Sequence, residues 1–100
     1  MNNFKGRTAV ITGAASGFGL DTSRIAAREG MNVVMADVQQ DALELARAEI
    51  EAMGAAVFAH RIDVSKAEQV EALAAATQAR FGAPHFVFNN AGVACGGLIW

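Results

Sequence analysis

Short apolar runs alternate with segments of helical periodicity along this chain. The runs at 8–11, 32–36 and 86–88 are rich in β-branched and aromatic residues and are bounded by glycine or polar residues, which predicts buried strands. A further run over 56–62 predicts a third strand in chain order, although His60 and Arg61 interrupt it. Strands that are apolar on both faces are typical of a parallel sheet covered by helices.

Three segments between these strands have the pattern of amphipathic helices, and each ends at a glycine. The first is expected at about 17–29, with apolar positions at Phe18, Ile25 and Ala26. The second is expected over 39–53. Its apolar stripe consists of Leu43, Ala46, Ile50 and Met53.

The third helix is expected to begin at Ser65 and to end before Gly82 and Pro84. Ser65 and Glu68 have the spacing of a capping box, with the serine as N-cap. One face of this helix is apolar or small, at Val70, Leu73, Ala74, Thr77 and Phe81.

The resulting order, β-α-β-α-β-α-β, predicts an α/β fold with right-handed crossovers. No linker or low-complexity segment divides the chain, so residues 1–100 are expected to form one unit with no second domain. The 53 % of hydrophobic residues is enough for a packed core.

Charge and composition exclude several classes of partner. The net charge is -2 and no basic run occurs, which argues against nucleic acid as a partner. The apolar runs are too short to span a bilayer, so no membrane partner is expected. The single cysteine, Cys95, fits a reducing compartment, and a cytoplasmic protein is predicted. His60 and His85 lack neighbours at metal-ligand spacing, so no metal site is expected.

The segment from Thr12 to Gly19 is a glycine-rich turn between the first strand and the first helix. Gly13 permits a sharp turn, Gly17 leaves the backbone open to a pyrophosphate, and Gly19 allows close helix–strand packing. Free amides and the positive end of the helix dipole then face the phosphates. The spacing is G-x-x-x-G-x-G, so an ordinary βα turn is the alternative. The flanking strand and helix favour phosphate binding.

Asp37 stands at the end of the second strand, 18 residues after Gly19. A carboxylate there can accept hydrogen bonds from the adenosine ribose hydroxyls, and it repels a 2′-phosphate. Ser16 and Val38 supply no positive charge for such a phosphate, so NAD is favoured over NADP. The alternative is a strand-end aspartate that only starts a turn.

Two further segments follow strands at the same edge of the predicted sheet. Asp63 and Val64 come after the third strand, where Asp63 either lines a ligand cleft or begins the turn into the next helix. The tetrapeptide 89–92, Asn-Asn-Ala-Gly, follows the fourth strand. Its amides can brace the sheet edge and line the cleft, and a polar turn is the alternative.

Together these segments resemble the short-chain dehydrogenase/reductase family. The matching pieces are the loop from Thr12 to Gly19, Asp37, Asp63-Val64 and the NNAG tetrapeptide at 89–92. The resemblance implies an extended Rossmann fold of strand order 3-2-1-4 and hydride transfer between NAD(H) or NADP(H) and an alcohol or carbonyl substrate. It implies cofactor contacts from Gly13, Ser16, Gly17, Phe18, Gly19, Asp37, Asp63, Val64, Asn90, Ala91 and Gly92. It also implies a homo-oligomer for the intact protein.

The chain departs from the family in one respect. The family's catalysis uses a serine and a tyrosine followed four residues later by a lysine, and these 100 residues contain no tyrosine. No catalytic residue is therefore expected within them, and the chain is interpreted as the cofactor-binding part that precedes the catalytic half. A non-catalytic nucleotide-binding or redox-sensing module on the same fold is the second hypothesis. The fourth strand is expected to have an open apolar edge, which predicts poor solubility and weak NAD binding of these residues alone.

Overall fold

A computed structural model describes residues 5–63 and 65–90 of the chain. Strands and helices alternate in these ranges, which confirms the predicted order. The elements are β1 (Thr8–Thr12), α1 (Gly17–Arg28), β2 (Asn32–Asp37), α2 (Gln40–Ala52), β3 (Val57–Arg61), α3 (Ala67–Phe81) and β4 (Phe86–Asn89).

The four strands form one parallel sheet in the order β3-β2-β1-β4. This is the Rossmann-like order 3-2-1-4 that the resemblance implied. In the register, Val10 of β1 lies opposite Val34 of β2 on one side and opposite Val87 of β4 on the other. The carboxyl ends of all four strands consequently meet at one edge of the sheet.

Alternate residues of the central strands face two separate apolar layers. On one face, Ile11 and Met35 are fully buried in a cluster that α1 and α2 complete, Leu43 and Ile50 being the largest contributors from α2. On the other face, α3 covers the sheet with Val70 and Leu73. The side chains beneath them are Val10, Val34, Ala36 and Ile62. The strand prediction from two-sided apolar runs is thus confirmed for β1 and β2.

The apolar face expected for α1 is largely wrong. Phe18 is 76 % exposed and Ile25 is 53 % exposed. The buried residues of α1 are the small ones: Gly19, Ser23, Ala26 and Ala27. Small side chains let the helix axis approach the sheet closely, so size rather than apolarity marks the contact face of this helix.

Two details of the other helices also differ from expectation. Met53 lies beyond the end of α2 and is exposed, whereas Leu43, Ala46 and Ile50 are buried as predicted. The capping box is wrong, because α3 begins at Ala67 with Lys66 as its N-cap and without a side-chain cap hydrogen bond. The Ser65 hydroxyl instead donates to Asp63, which holds Ser65 in the turn before the helix.

The strand β4 differs from the other strands in its burial. All four of its residues are exposed, with Phe86, Val87 and Phe88 between 38 % and 47 %. An apolar groove of about 230 Å³ lies between β4 and α1. Its lining includes Ala9, Ile11, Ile25, Met31, Phe86 and Phe88. The open apolar edge expected at the fourth strand is present within the described residues.

Candidate cofactor-binding site

The carboxyl edge of the sheet brings together every described residue of the predicted site. Gly13 follows β1, Asp37 ends β2, Asp63 follows β3 and Asn90 follows β4. In open α/β sheets, ligands bind in the crevice outside this edge. Val64, Ala91 and Gly92 lie outside the described residues.

The glycine-rich loop requires its glycines for three distinct reasons. Gly13 and Gly17 have φ angles of 64° and 58°, a left-handed conformation that side chains with a Cβ rarely adopt. At Gly19, a Cβ would lie 2.0 Å from the carbonyl oxygen of Gly13. A Cβ at Gly17 would meet nothing within 4 Å, so this position faces open space.

The helix α1 begins at the end of this loop. Within the described residues, its first amides have no hydrogen-bond acceptor. Leu20 is the first residue whose N–H reaches a helical carbonyl, that of Ser16 at 3.4 Å. The amides of Gly17, Phe18 and Gly19 precede it and lack an intrahelical partner. Ser16 makes no side-chain cap bond within the described residues, and the first turn has no acidic side chain. The positive end of the helix dipole therefore has no acidic side chain of its own first turn beside it and can attract an anion.

Asp37 lies beside the loop and uses both carboxylate oxygens. The amide of Ala15 donates to Oδ2 at 3.1 Å, and the amide of Gln39 donates to Oδ1 at 3.0 Å. The side chain is half-buried at the mouth of the crevice. One carboxylate thus links the glycine-rich loop to the start of α2.

Asp63 takes part in a local turn. Its Oδ1 accepts hydrogen bonds from the Ser65 hydroxyl at 2.7 Å and from the Ser65 amide at 3.0 Å. The hydroxyl bond, followed by the amide bond, lowers the pKa of the Asp63 carboxyl below its ordinary value, and the charges of Lys66 and Arg61 add to the effect. This is the turn-forming role that the sequence left open as an alternative.

Two asparagines at the end of β4 brace the loop against the sheet. Asn89, which was expected just after the strand, is its last residue, and Asn90 follows it. The Asn90 side-chain amide donates to the Gly13 carbonyl at 3.3 Å, and the Asn90 main-chain amide donates to the Thr12 carbonyl at 3.2 Å. The Thr12 hydroxyl donates to Asn89 Oδ1 at 2.8 Å. Sequence reasoning missed this use of Thr12, although a hydroxyl directly before the glycine turn was a visible signal.

The apolar groove between α1 and β4 is not part of this crevice. It lies over the face of the sheet and is lined almost entirely by carbon atoms, with Thr22 and Glu29 at its rim. The polar groups that would recognise a dinucleotide are at the carboxyl edge instead.

Comparison with known proteins identifies the family. A model of the short chain dehydrogenase family matches residues 7–99. The chain belongs to the short chain dehydrogenase family. The matched range includes the glycine-rich loop, Asp37 and the asparagines at the end of β4.

Three relatives of this chain illustrate the likeness. A 1-deoxy-11-beta-hydroxypentalenate dehydrogenase of Streptomyces exfoliatus is 51 % identical over 87 % of this chain. A short chain dehydrogenase/reductase from Burkholderia phymatum, solved in complex with NAD, is 45 % identical over 87 % of this chain with a TM-score of 0.84. L-Sorbose reductase from Gluconobacter frateurii, solved with NADPH and L-sorbose, is 35 % identical over 91 % with a TM-score of 0.86.

The chain spans about a third of the length of each of these proteins: 32 %, 31 % and 35 %. In the described ranges 5–63 and 65–90, no helix is long and apolar enough to cross a membrane.

Proposed function

We propose that the chain is the NAD-binding part of a short chain dehydrogenase, which in the whole protein transfers a hydride between NAD(H) and an alcohol or carbonyl substrate. The observation that carries the proposal is the position of Asp37, a carboxylate at the end of β2 in hydrogen-bond contact with the phosphate-binding loop. The proposed cofactor contacts are Gly13, Ser16, Gly17, Phe18, Gly19, Asp37, Asp63, Val64, Asn90, Ala91 and Gly92.

The loop supports binding of the pyrophosphate. Gly17 is exposed and without a side chain, and the amides that follow it belong to a helix N-terminus with no acidic residue in its first turn. Two phosphates placed there would accept hydrogen bonds from the first-turn amides and gain from the helix dipole. Ser16 and Phe18 flank the same opening and would contact the bound cofactor.

Asp37 supports a preference for NAD. Its carboxylate can accept hydrogen bonds from the two hydroxyls of the adenosine ribose, whereas a 2′-phosphate would bring two negative charges together. The neighbouring Ser16 and Val38 are exposed but carry no positive charge that would offset this repulsion. Since solved relatives were crystallised with NAD and with NADPH, the preference of this chain rests on Asp37.

The remaining groups suit the outer parts of the cofactor. Asp63 and Val64 would flank the adenine, because they follow the strand beside Asp37. Asn90, Ala91 and Gly92 would line the crevice towards the nicotinamide ribose, where small residues permit close approach. When bound, NAD would supply the hydride acceptor, and the residues of this chain would hold and orient it.

Cofactor titration of the full-length protein tests the binding proposal. We expect the wild-type protein to bind NAD more tightly than NADP. Asp37→Ala should weaken NAD binding roughly ten- to hundredfold and should reduce or reverse the ratio of NAD affinity to NADP affinity. Asp41→Asn is a matched control, because Asp41 is an exposed carboxylate in the first turn of α2. If Asp37→Ala keeps the wild-type ratio of NAD affinity to NADP affinity, the role proposed for Asp37 is contradicted.

Turnover of the full-length protein tests the catalytic part of the proposal. Reduction of NAD with secondary alcohols, or oxidation of NADH with ketones, is expected to proceed and to saturate with substrate. Tight NAD binding without turnover on any alcohol or carbonyl would support the second hypothesis, a non-catalytic nucleotide-binding module.

A further inference from the structure

The Asp37 carboxylate connects two segments that are distant along the chain. Its Oδ2 accepts from the Ala15 amide, in the middle of the phosphate-binding loop, and its Oδ1 accepts from the Gln39 amide before α2. Directly beside the first contact, the Ala14 amide donates to the Ala36 carbonyl at 3.1 Å. Two successive loop amides are thus bound to two successive residues at the end of β2.

These two contacts lie between two glycines of the loop, where the backbone is least restricted by its own sequence. Ala14 and Ala15 are buried. Gly13 precedes them and Gly17 follows them, and glycine is the residue type with the greatest backbone freedom. The bond between the Ala15 amide and Asp37 is partly buried, so truncation of the Asp37 side chain removes the protein acceptor of that amide and raises the free energy of this loop conformation. The side chain of Asp37 is therefore able to select one conformation of the loop.

We propose that Asp37 is a positioning residue for the phosphate-binding loop, in addition to the ribose contact assigned above. The inference rests on the proposed function, since it concerns how the same site binds a dinucleotide. A carboxylate has two oxygens with several acceptor positions, so it can keep the Ala15 amide while it accepts a ribose hydroxyl. The residue that distinguishes NAD from NADP would thereby also order the loop that binds the pyrophosphate.

Removal of the Asp37 charge and removal of the positioning contact would change the affinity for a phosphate ligand in opposite directions. If Asp37 only contacted the ribose, its removal would take a negative charge away from the phosphates and would strengthen binding of a ligand without ribose hydroxyls. If Asp37 positions the loop, its removal weakens binding of that ligand too. Asn at this position has only one oxygen, and its amino group would face one of the two backbone donors. Asp37→Asn is therefore expected to lose at least one of the two contacts and to weaken the positioning.

Calorimetric titration of the full-length protein with ADP and with 2′,3′-dideoxy-ADP separates the two roles. In Asp37→Ala and Asp37→Asn, we expect the affinity for 2′,3′-dideoxy-ADP to fall roughly three- to tenfold, and the affinity for ADP to fall further. The control Asp41→Asn removes a similar charge without a contact to the loop, and it should change neither affinity by more than about twofold.

Hydrogen exchange of the ligand-free protein provides the second measurement. The Ala15 amide should exchange severalfold faster in both Asp37 variants, while the amides of β1 and β2 keep their protection. Unchanged or tighter binding of 2′,3′-dideoxy-ADP, or unchanged exchange at Ala15, would overturn the inference and leave the proposed function intact. Wild-type protein that binds neither nucleotide would overturn both. An equal loss of affinity in Asp41→Asn would show that the loss does not depend on the contact with the loop, and it would overturn the inference.

Discussion

The strands β2 and β4 both pair with β1, yet their surroundings are opposite. Val34 of β2 and Val87 of β4 lie on either side of Val10 in the register. Val34 is completely buried, whereas Val87 is 38 % exposed. Both strands have apolar sequences, so hydrophobicity does not explain the difference. Helices on both faces cover β2, and within the described residues none covers β4.

The two regions are also held together by different interactions. Around β1 and β2, side chains from α1, α2 and α3 fill two apolar layers. Around β4, backbone bonds to β1 and the contacts of Asn89 and Asn90 with Thr12 and Gly13 provide much of the support. We therefore expect substitutions near the central strands to affect stability much more than equivalent substitutions on β4.

The largest effect is expected at the close contact between α1 and the turn after β1. Gly19→Ala should lower the free energy of unfolding by more than about 3 kcal/mol, because its Cβ would overlap the Gly13 carbonyl. Gly17→Ala is the matched control, where only the left-handed backbone opposes the new side chain and a loss of about 1–2 kcal/mol is expected. Urea unfolding measures both. Equal losses would contradict the close packing of α1 on this turn.

The next largest effect compares the two valines directly. Val34→Ala should cost about 2 kcal/mol, because it removes buried methyl groups and leaves a cavity. Val87→Ala should cost less than about 1 kcal/mol in the 100-residue chain, because its side chain is partly in water already. Urea unfolding of each variant gives the two losses in the free energy of unfolding. A larger loss in Val87→Ala than in Val34→Ala would show that the side chain of Val87 is buried in the folded protein.

A smaller effect is expected on the association of the 100-residue chain. Phe88→Lys places a charge on the exposed apolar edge strand, which should raise the soluble, monomeric fraction severalfold. Leu45→Lys is the control, because Leu45 is an isolated exposed residue of α2 and its replacement should change the fraction little. Size-exclusion chromatography with light scattering measures both fractions. If the two variants behave alike, the edge of β4 is not the site of association.

The smallest effect concerns the turn after β3, which hydrogen bonds rather than packing support. Ser65→Ala removes the largest cause of the lowered pKa of Asp63, so that pKa should rise towards its ordinary value. Because the folded-state pKa is lowered, the turn stabilises the protein above the ordinary aspartate pKa. That contribution is lost as the pH falls through the lowered pKa.

Carboxyl-carbon NMR titration gives the pKa of Asp63 in the wild type and in Ser65→Ala. Ser16→Ala is the control, since Ser16 lies in the glycine-rich loop and should leave the titration of Asp63 unchanged. A pKa that stays low in Ser65→Ala would mean that the Ser65 amide and the nearby positive charges, rather than the hydroxyl, cause the shift.

Most elements were predictable because their signals are local. The two-sided apolar runs of β1 and β2 and the glycines that end the helices depend on nearest neighbours. Gly30, Gly54 and Gly82 indeed have φ angles of 82°, 93° and 82°. The capping box at Ser65 was predicted from spacing and is wrong, because Asp63 is two residues away and competes for the same hydroxyl. A local pattern can thus mislead where a second local acceptor exists.

The candidate site combines both kinds of information. The glycine-rich loop, Asp37 and the asparagines at the end of β4 were visible in the sequence, because each is a glycine or polar residue directly at the end of an apolar strand. The contact between Ala15 and Asp37 was not visible, since it joins residues 22 positions apart through a backbone amide that any residue carries.

The sequence by itself therefore determined the order of elements, the positions of the turns and the polar residues at the strand ends. These follow from backbone conformation and from hydrophobic periodicity within single elements. The tertiary structure alone decided which face of α1 packs, how far β4 is exposed, and that Asp37 contacts the glycine-rich loop. Each of those depends on the distance between separate elements, which the packing of side chains across the sheet determines.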